Sequence, residues 1–83
     1  MAYALIPCRS VTYAQRAVKM LQEAGYRASM RRLPADLPET GCGHAVRVER
    51  ERAEDALSLM NKAGFQSHKI FCENEDGSVV ACP

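Results

Sequence analysis

Apolar and polar positions in this chain first alternate, then recur at helical spacing, then alternate again, and the whole cycle is run through twice. Tyr3 to Ile6 or Pro7 is a short apolar run that reads as a strand. Ser10 stands where a helix N-cap belongs, and Ala14, Ala17, Val18, Leu21 and Ala24 follow at helical spacing until Gly25 stops them. Tyr26 to Arg31 alternates, with Ala28 and Met30 on one face and Arg27, Ser29 and Arg31 on the other, as a half-buried strand does.

Leu33 to Gly41 carries Pro34, Pro38 and Gly41 and few apolar residues, which predicts a loop. His44 to Val48 is the third strand, with Val46 and Val48 facing one way and Ala45 and Arg47 the other. A second helix starts near Arg50 or Glu51, acidic at first and with Lys62 late, its stripe formed by Ala53, Ala56, Leu57, Met60 and Ala63 before Gly64. Ser67 to Cys72 is the fourth strand, and Glu73 to Gly77 a turn or frayed linker. The tail Ser78 to Pro83 either folds back as an extra edge strand or stays loose.

The segments Met20 to Tyr26 and Leu59 to Phe65 share one order: helix end, Ala-Gly stop, aromatic residue, then strand. Strand-helix-strand is therefore written twice, and two right-handed units of this size interleave most economically as an α+β ferredoxin-like sandwich. That βαββαβ arrangement has a four-stranded antiparallel sheet with both helices on one face. Residues 1–72 form the single domain in this reading, and 73–83 the tail or extra edge strand. The first and third strands are central neighbours, so Cys8 at the end of one lies beside Cys42 before the start of the other. The first helix begins at the same end.

Length and composition agree with one small globular domain, since 83 residues at 47% hydrophobic and 25% charged support a single core. A formal net charge of +1 offers no field to steer the chain onto nucleic acid or an anionic membrane. The apolar start is cut short by Pro7, Cys8 and Arg9, too early for a signal peptide or a membrane span, so a cytoplasmic location is expected. In that reducing compartment four cysteines are reactive, metal-bound or buried more often than paired.

Cys42 lies between Gly41 and Gly43, where nothing bulky screens its sulfur. A free thiol has a pKa of about 8.5, lowered by a helix N-terminus or a nearby cation. Arg9, the helix start at Ser10, and His44 two residues on from Cys42 are the candidate supports. Cys42 is thus the candidate thiolate and Cys8 a second thiol able to resolve it. Cys72, in phase with Ile70, reads as core, and Cys82 as an incidental tail thiol or a partner for Cys72. His44 and His68 read first as structural residues, and Arg31, Arg32 and Arg47 as a solvated face. No C-x-x-C pair, phosphate loop, nucleophile elbow or carboxylate pair is present, and no metal or cofactor is expected.

Ser10 with Ala14, the Ala24-Gly25 stop, the Pro34 loop leading to Cys42-Gly43, the strand to Val48 and the helix ending at Ala63-Gly64 together resemble the small Se/S carrier protein-like family. The likeness runs over about residues 3–71. It implies a non-enzymatic cytosolic carrier that holds sulfur or selenium as a persulfide or selenopersulfide on Cys42, loaded by a donor such as a cysteine desulfurase and unloaded by an acceptor protein. His44, Cys8 and the Cys82 tail depart from what the family leads one to expect.

Two other functions fit the residues. One is a non-catalytic interaction or ligand-binding module that forms a homodimer through the open sheet face, using Tyr3, Leu5 and Phe65 or Phe71. The other is a thiol-disulfide redox sensor built on Cys42 and Cys8.

Overall fold

The computed structural model describes residues 2–34, 43–65 and 69–82. Five strands and two helices follow one another as β1 (Tyr3–Pro7), α1 (Val11–Glu23), β2 (Ser29–Arg32), β3 (His44–Glu49), a 3-10 turn (Arg50–Arg52), α2 (Ala53–Lys62), β4 (Phe71–Glu73) and β5 (Val79–Ala81). One antiparallel sheet holds all five strands in the order β2-β3-β1-β4-β5. The chain is thus a small α+β fold, and its sheet has one strand more than the four expected.

β1 occupies the middle of the sheet because it carries apolar residues on both faces, with Ala4, Leu5 and Ile6 completely buried. Its register against β3 sets Ile6 opposite Val46 and Pro7 opposite Ala45. Ala4, Ile6 and Cys8 join Val46 and Val48 beneath Ala14, Ala17 and Leu21 of α1 and Ala53, Ala56 and Met60 of α2, so both helices cover the same face. Leu5, Ala45 and Phe71 turn to the other face, where they form a second cluster with Leu33 and the edge of Val79.

Both helices end in the same way. Gly25 donates to the Gln22 carbonyl and Tyr26 to that of Leu21, while Gly64 donates to Asn61 and Phe65 to Met60. In each case the glycine takes a left-handed φ, +94° and +91°, which closes the helix with a paired Schellman-type hydrogen bond and turns the chain toward its next element. The internal echo in the sequence is therefore an echo of two helix stops.

Two strands differ from their expected bounds. β2 is shorter than Tyr26 to Arg31 and lies at the sheet edge, so Met30, on the helix-covered face opposite Val46, is 40% exposed rather than half-buried. β4 begins at Phe71; Ser67 and His68, part of the expected strand, lie outside the described residues. The turn Asn74 to Ser78 then reverses the chain, with Asn74 and Ser78 bonded through backbone and side chain, and β5 pairs back on β4.

On the face away from the helices a polar cluster crosses the sheet. Glu73 of β4 accepts from Arg47 of β3 and Arg31 of β2, each at 2.8 Å, and Arg31 also donates to the Gly77 carbonyl. The Arg47 guanidinium stands over the ring of Tyr3 in the intervening strand, 3.7 Å from its centroid. Arg31 and Arg47 are therefore paired across the sheet, not a solvated face. Among the described residues no helix is long and apolar enough to cross a membrane.

Candidate functional site

The corner where β1 ends, β3 begins and α1 starts is built by three short local devices. The Ser10 hydroxyl accepts the backbone N–H of Tyr13 at 3.1 Å, satisfying one of the donors that an α-helix leaves free at its start. Across the sheet, the backbone N–H of Cys8 donates to the carbonyl of His44 at 3.1 Å, one step beyond the Pro7–Ala45 pair. On the far side of β3, the Leu33 N–H donates to the Gly43 carbonyl at 2.6 Å, tying the exit of β2 to the entry of β3.

Gly43 adopts a φ of +82° with open space where a Cβ would stand. A side chain at this position would therefore meet no atom, and the residue is glycine for its backbone angle alone. Such a turn directly before β3 redirects the chain at the position next to Cys42. Gly41 and Cys42 themselves lie outside the described residues.

The remaining candidates fall as follows. Cys8 is 7% exposed and belongs to the helix-covered core; its thiol donates to the Ile6 carbonyl at 3.6 Å. In this conformation its sulfur is a packed group, with little surface open to an external nucleophile. His44 is half-buried and shares the strand phase of Val46 and Val48, which directs it to the same sheet face as Cys8. The Arg9 guanidinium rests over the Tyr13 ring, 5.3 Å from its centroid, and Tyr13 meets Phe65 edge-on at 5.7 Å. Cys8, Arg9, Ser10, Gly43 and His44 are thus brought to one end of the sheet, as the alternation and helix start require.

The open-face residues named for a homodimer do not stand free. Leu5 is fully buried, Phe71 is 8% exposed, and Tyr3 lies under Arg47. Phe65 packs on Tyr13 against the helix-side core instead.

A second pair of sulfurs lies toward the β4–β5 edge of the sheet. Cys72 and Cys82 are joined as a disulfide with Cα atoms 5.1 Å apart, which fixes β5 to β4 and takes the partner reading of Cys82 over the incidental one. Cys72 is 2% exposed, and Cys82 is half-buried at the mouth of a pocket of about 170 Å³ lined by Ala4, Arg50, Ala53, Glu54, Ile70 and Cys82. The sequence signal for this pair was the reversal at Asn74 to Ser78, which brings residue 82 back alongside residue 72. Glu73 was missed as the centre of the arginine cluster because it reads locally as the first residue of that acidic turn. Among the described residues no group of three or more His, Cys, Asp or Glu side chains could hold a metal ion.

Over residues 3–72 the chain matches the family model described as Putative Se/S carrier protein-like. That span includes Cys8, Cys42 and Cys72 and stops short of Cys82. No curated protein and no solved structure matches the chain.

Proposed function

Because the chain belongs to the Se/S carrier protein-like family, we propose that it carries sulfur or selenium as a persulfide or selenopersulfide on Cys42 and passes it between partner proteins. The observation that carries this reading is the family match, which spans Cys42 and nearly all of the fold. The corner described above supports it. The left-handed turn at Gly43, the residue after Cys42 in the chain, lies at the end of the sheet where the Cys8 N–H donates to the His44 carbonyl and α1 starts at its Ser10 cap.

The transfer needs no separate acid or base. The Cys42 thiolate attacks the outer sulfur of a donor persulfide, a new S–S bond forms on Cys42, and the donor leaves as its own thiolate. An acceptor thiolate then repeats the step on the Cys42 persulfide. No net electrons are exchanged with the surroundings, so the protein acts as a relay with a donor such as a cysteine desulfurase and a downstream acceptor. On this reading Gly41 and Gly43 are the flanking residues, and Arg9, Ser10 and His44, which the fold brings to one end of the sheet, are the supporting residues proposed for the carrier cysteine.

The strand order β2-β3-β1-β4, with two helices on one face, supports a ferredoxin-like description of the first four strands, to which β5 is added. Incubation with a cysteine desulfurase and cysteine, followed by peptide mass spectrometry, tests the function. One added sulfur atom on Cys42 is the expected product. An unmodified Cys42, under conditions that load a known acceptor, refutes it.

A second reading, thiol-disulfide redox sensing, is compatible with the disulfide at Cys72 and Cys82, a different pair from the Cys42 and Cys8 first named for it. It requires a reversible bond whose state changes activity in cells. Trapping of thiols from oxidised and reduced cells separates it from sulfur transport.

A further inference from the structure

The Cys72–Cys82 pair differs from an ordinary structural cross-link in where its two sulfurs stand. Cys72 is enclosed at 2% exposure, while Cys82 opens on the pocket at the start of α2. An external reagent therefore reaches Cys82 first, and only Cys82 bears an adduct that solvent can see. Cys72 is held next to it by the β4–β5 pairing, which brings the two Cα atoms within 5.1 Å and makes it the resolving sulfur.

The pocket beside Cys82 also has a chemical signature. The two charged residues that line it, Arg50 and Glu54, are of opposite sign and exposed, and the other lining residues beside Cys82, Ala4, Ala53 and Ile70, are small or apolar. Arg50 and Glu54 have no ion-pair partner among the described residues. A ligand of amino-acid size bearing one carboxylate and one ammonium group satisfies both, and a volume of about 170 Å³ suits it.

We propose that Cys72 and Cys82 form a second sulfur-handling site that takes a sulfane sulfur from a zwitterionic small-molecule persulfide, of the cysteine persulfide class, and releases it as sulfide. The persulfide donor rests on the carrier reading; the dithiol chemistry does not use Cys42. In the reduced protein the Cys82 thiolate attacks the outer sulfur of R–S–SH. The Cys82–sulfur bond forms, the R–S bond to that sulfur breaks, and RSH leaves with the proton. The Cys72 thiol then attacks Cys82 Sγ, the terminal sulfur departs with the Cys72 proton as hydrogen sulfide, and the disulfide closes. The sulfane sulfur gains the two electrons that the two protein thiols lose. Two equivalents of a small-molecule thiol reopen the pair by exchange, leaving as their own disulfide.

The test uses the full chain with Cys42→Ser, reduced and freed of reductant, and sulfide-free cysteine persulfide as probe. One sulfide per chain and a Cys72–Cys82 disulfide in the peptide map are expected. Adding Cys72→Ser stops sulfide release and leaves a persulfide on Cys82; adding Cys82→Ser abolishes both. Alkylation of Cys82 in the reduced, otherwise unaltered pair must block release equally, which covers the case in which a variant folds poorly. Arg50→Ala is expected to raise the half-saturating probe concentration by about tenfold through loss of a charge-assisted contact, with the final yield unchanged. Sulfide release that survives Cys82→Ser, a Cys72→Ser chain without persulfide on Cys82, or a dithiol that stays reduced would overturn the proposal. The carrier reading is scored separately, by desulfurase loading of Cys42 in the Cys72→Ser, Cys82→Ser double variant.

Discussion

Replacing Glu73 by glutamine keeps the shape of the side chain and removes the negative charge that two guanidinium groups share. In the wild type, each carboxylate oxygen accepts one charge-assisted hydrogen bond at 2.8 Å, from Arg31 and from Arg47. The carboxylate is 10% exposed, whereas the arginines keep 29% and 34% of their side chains in solvent. Charge-assisted bonds contribute roughly 1.5–3 kcal/mol each when well shielded. With about a third of each arginine exposed, solvent screening reduces the pair to about 2 kcal/mol in all.

Arg47 is the arginine that depends most on this carboxylate, because its charge is balanced by Glu73 and the Tyr3 ring alone among the described residues and its buried Nε has no hydrogen-bond partner there. For a domain of this size about 2 kcal/mol corresponds to a fall in Tm of roughly 8–16 °C. Urea unfolding at neutral pH measures the effect directly, and a double-mutant cycle with Arg31→Ala and Arg47→Ala apportions it. A Glu73→Gln chain within about 0.5 kcal/mol of wild type would refute the reasoning, since only an exposed and screened pair behaves so.

Other outcomes follow from single contacts. Ser10→Ala should cost about 1 kcal/mol in urea unfolding by leaving the Tyr13 N–H without its cap. Gly43→Ala meets no atom and should still cost about 1 kcal/mol from its φ of +82°; an unchanged midpoint would count against a left-handed turn there. Reducing the Cys72–Cys82 bond, which closes a loop across a sequence separation of 10, should lower stability by about 2.5 kcal/mol and speed amide exchange first in β5. The Ser78 hydroxyl and backbone N–H both donate to Asp76 and hold its carboxyl below the ordinary aspartate range. Its contribution to turn order is therefore present above the unfolded-state pKa and lost as pH falls through the lower folded value. An acid titration of the Ser78 amide shift should show this midpoint, and Asp76→Asn should abolish it.

The parts of the fold legible in the sequence are those set by local periodicity. Ala14, Ala17 and Leu21 at helical spacing, and Val46 and Val48 against Ala45 and Arg47, identify which faces are buried, and the structure keeps those faces. The two Ala-Gly stops were readable because a Schellman close has its own residue requirement. Harder to read were features that depend on position in the sheet. Met30 alternates correctly yet is exposed, because an edge strand lacks a neighbour to cover it. Arg31, Arg47 and Glu73 are far apart in the chain, and nothing local marks them as one cluster spread over three strands. At the site, the placing of Cys8 at the end of the sheet where β3 begins followed from strand neighbourhood, whereas the depth of the Cys8 thiol did not, since burial depends on how closely both helices cover the strand end.

The central place of β1 has a consequence for how the molecule comes to be made. Both of its hydrogen-bonding partners, β3 and β4, lie downstream, the second only at residues 71–73. During synthesis its apolar segment leaves the ribosome well before either neighbour exists, and it has to wait without a ladder on either side. Only the emergence of β4 completes its pairing, so nascent chains stalled before that point are the ones exposed to holdase chaperones and to self-association.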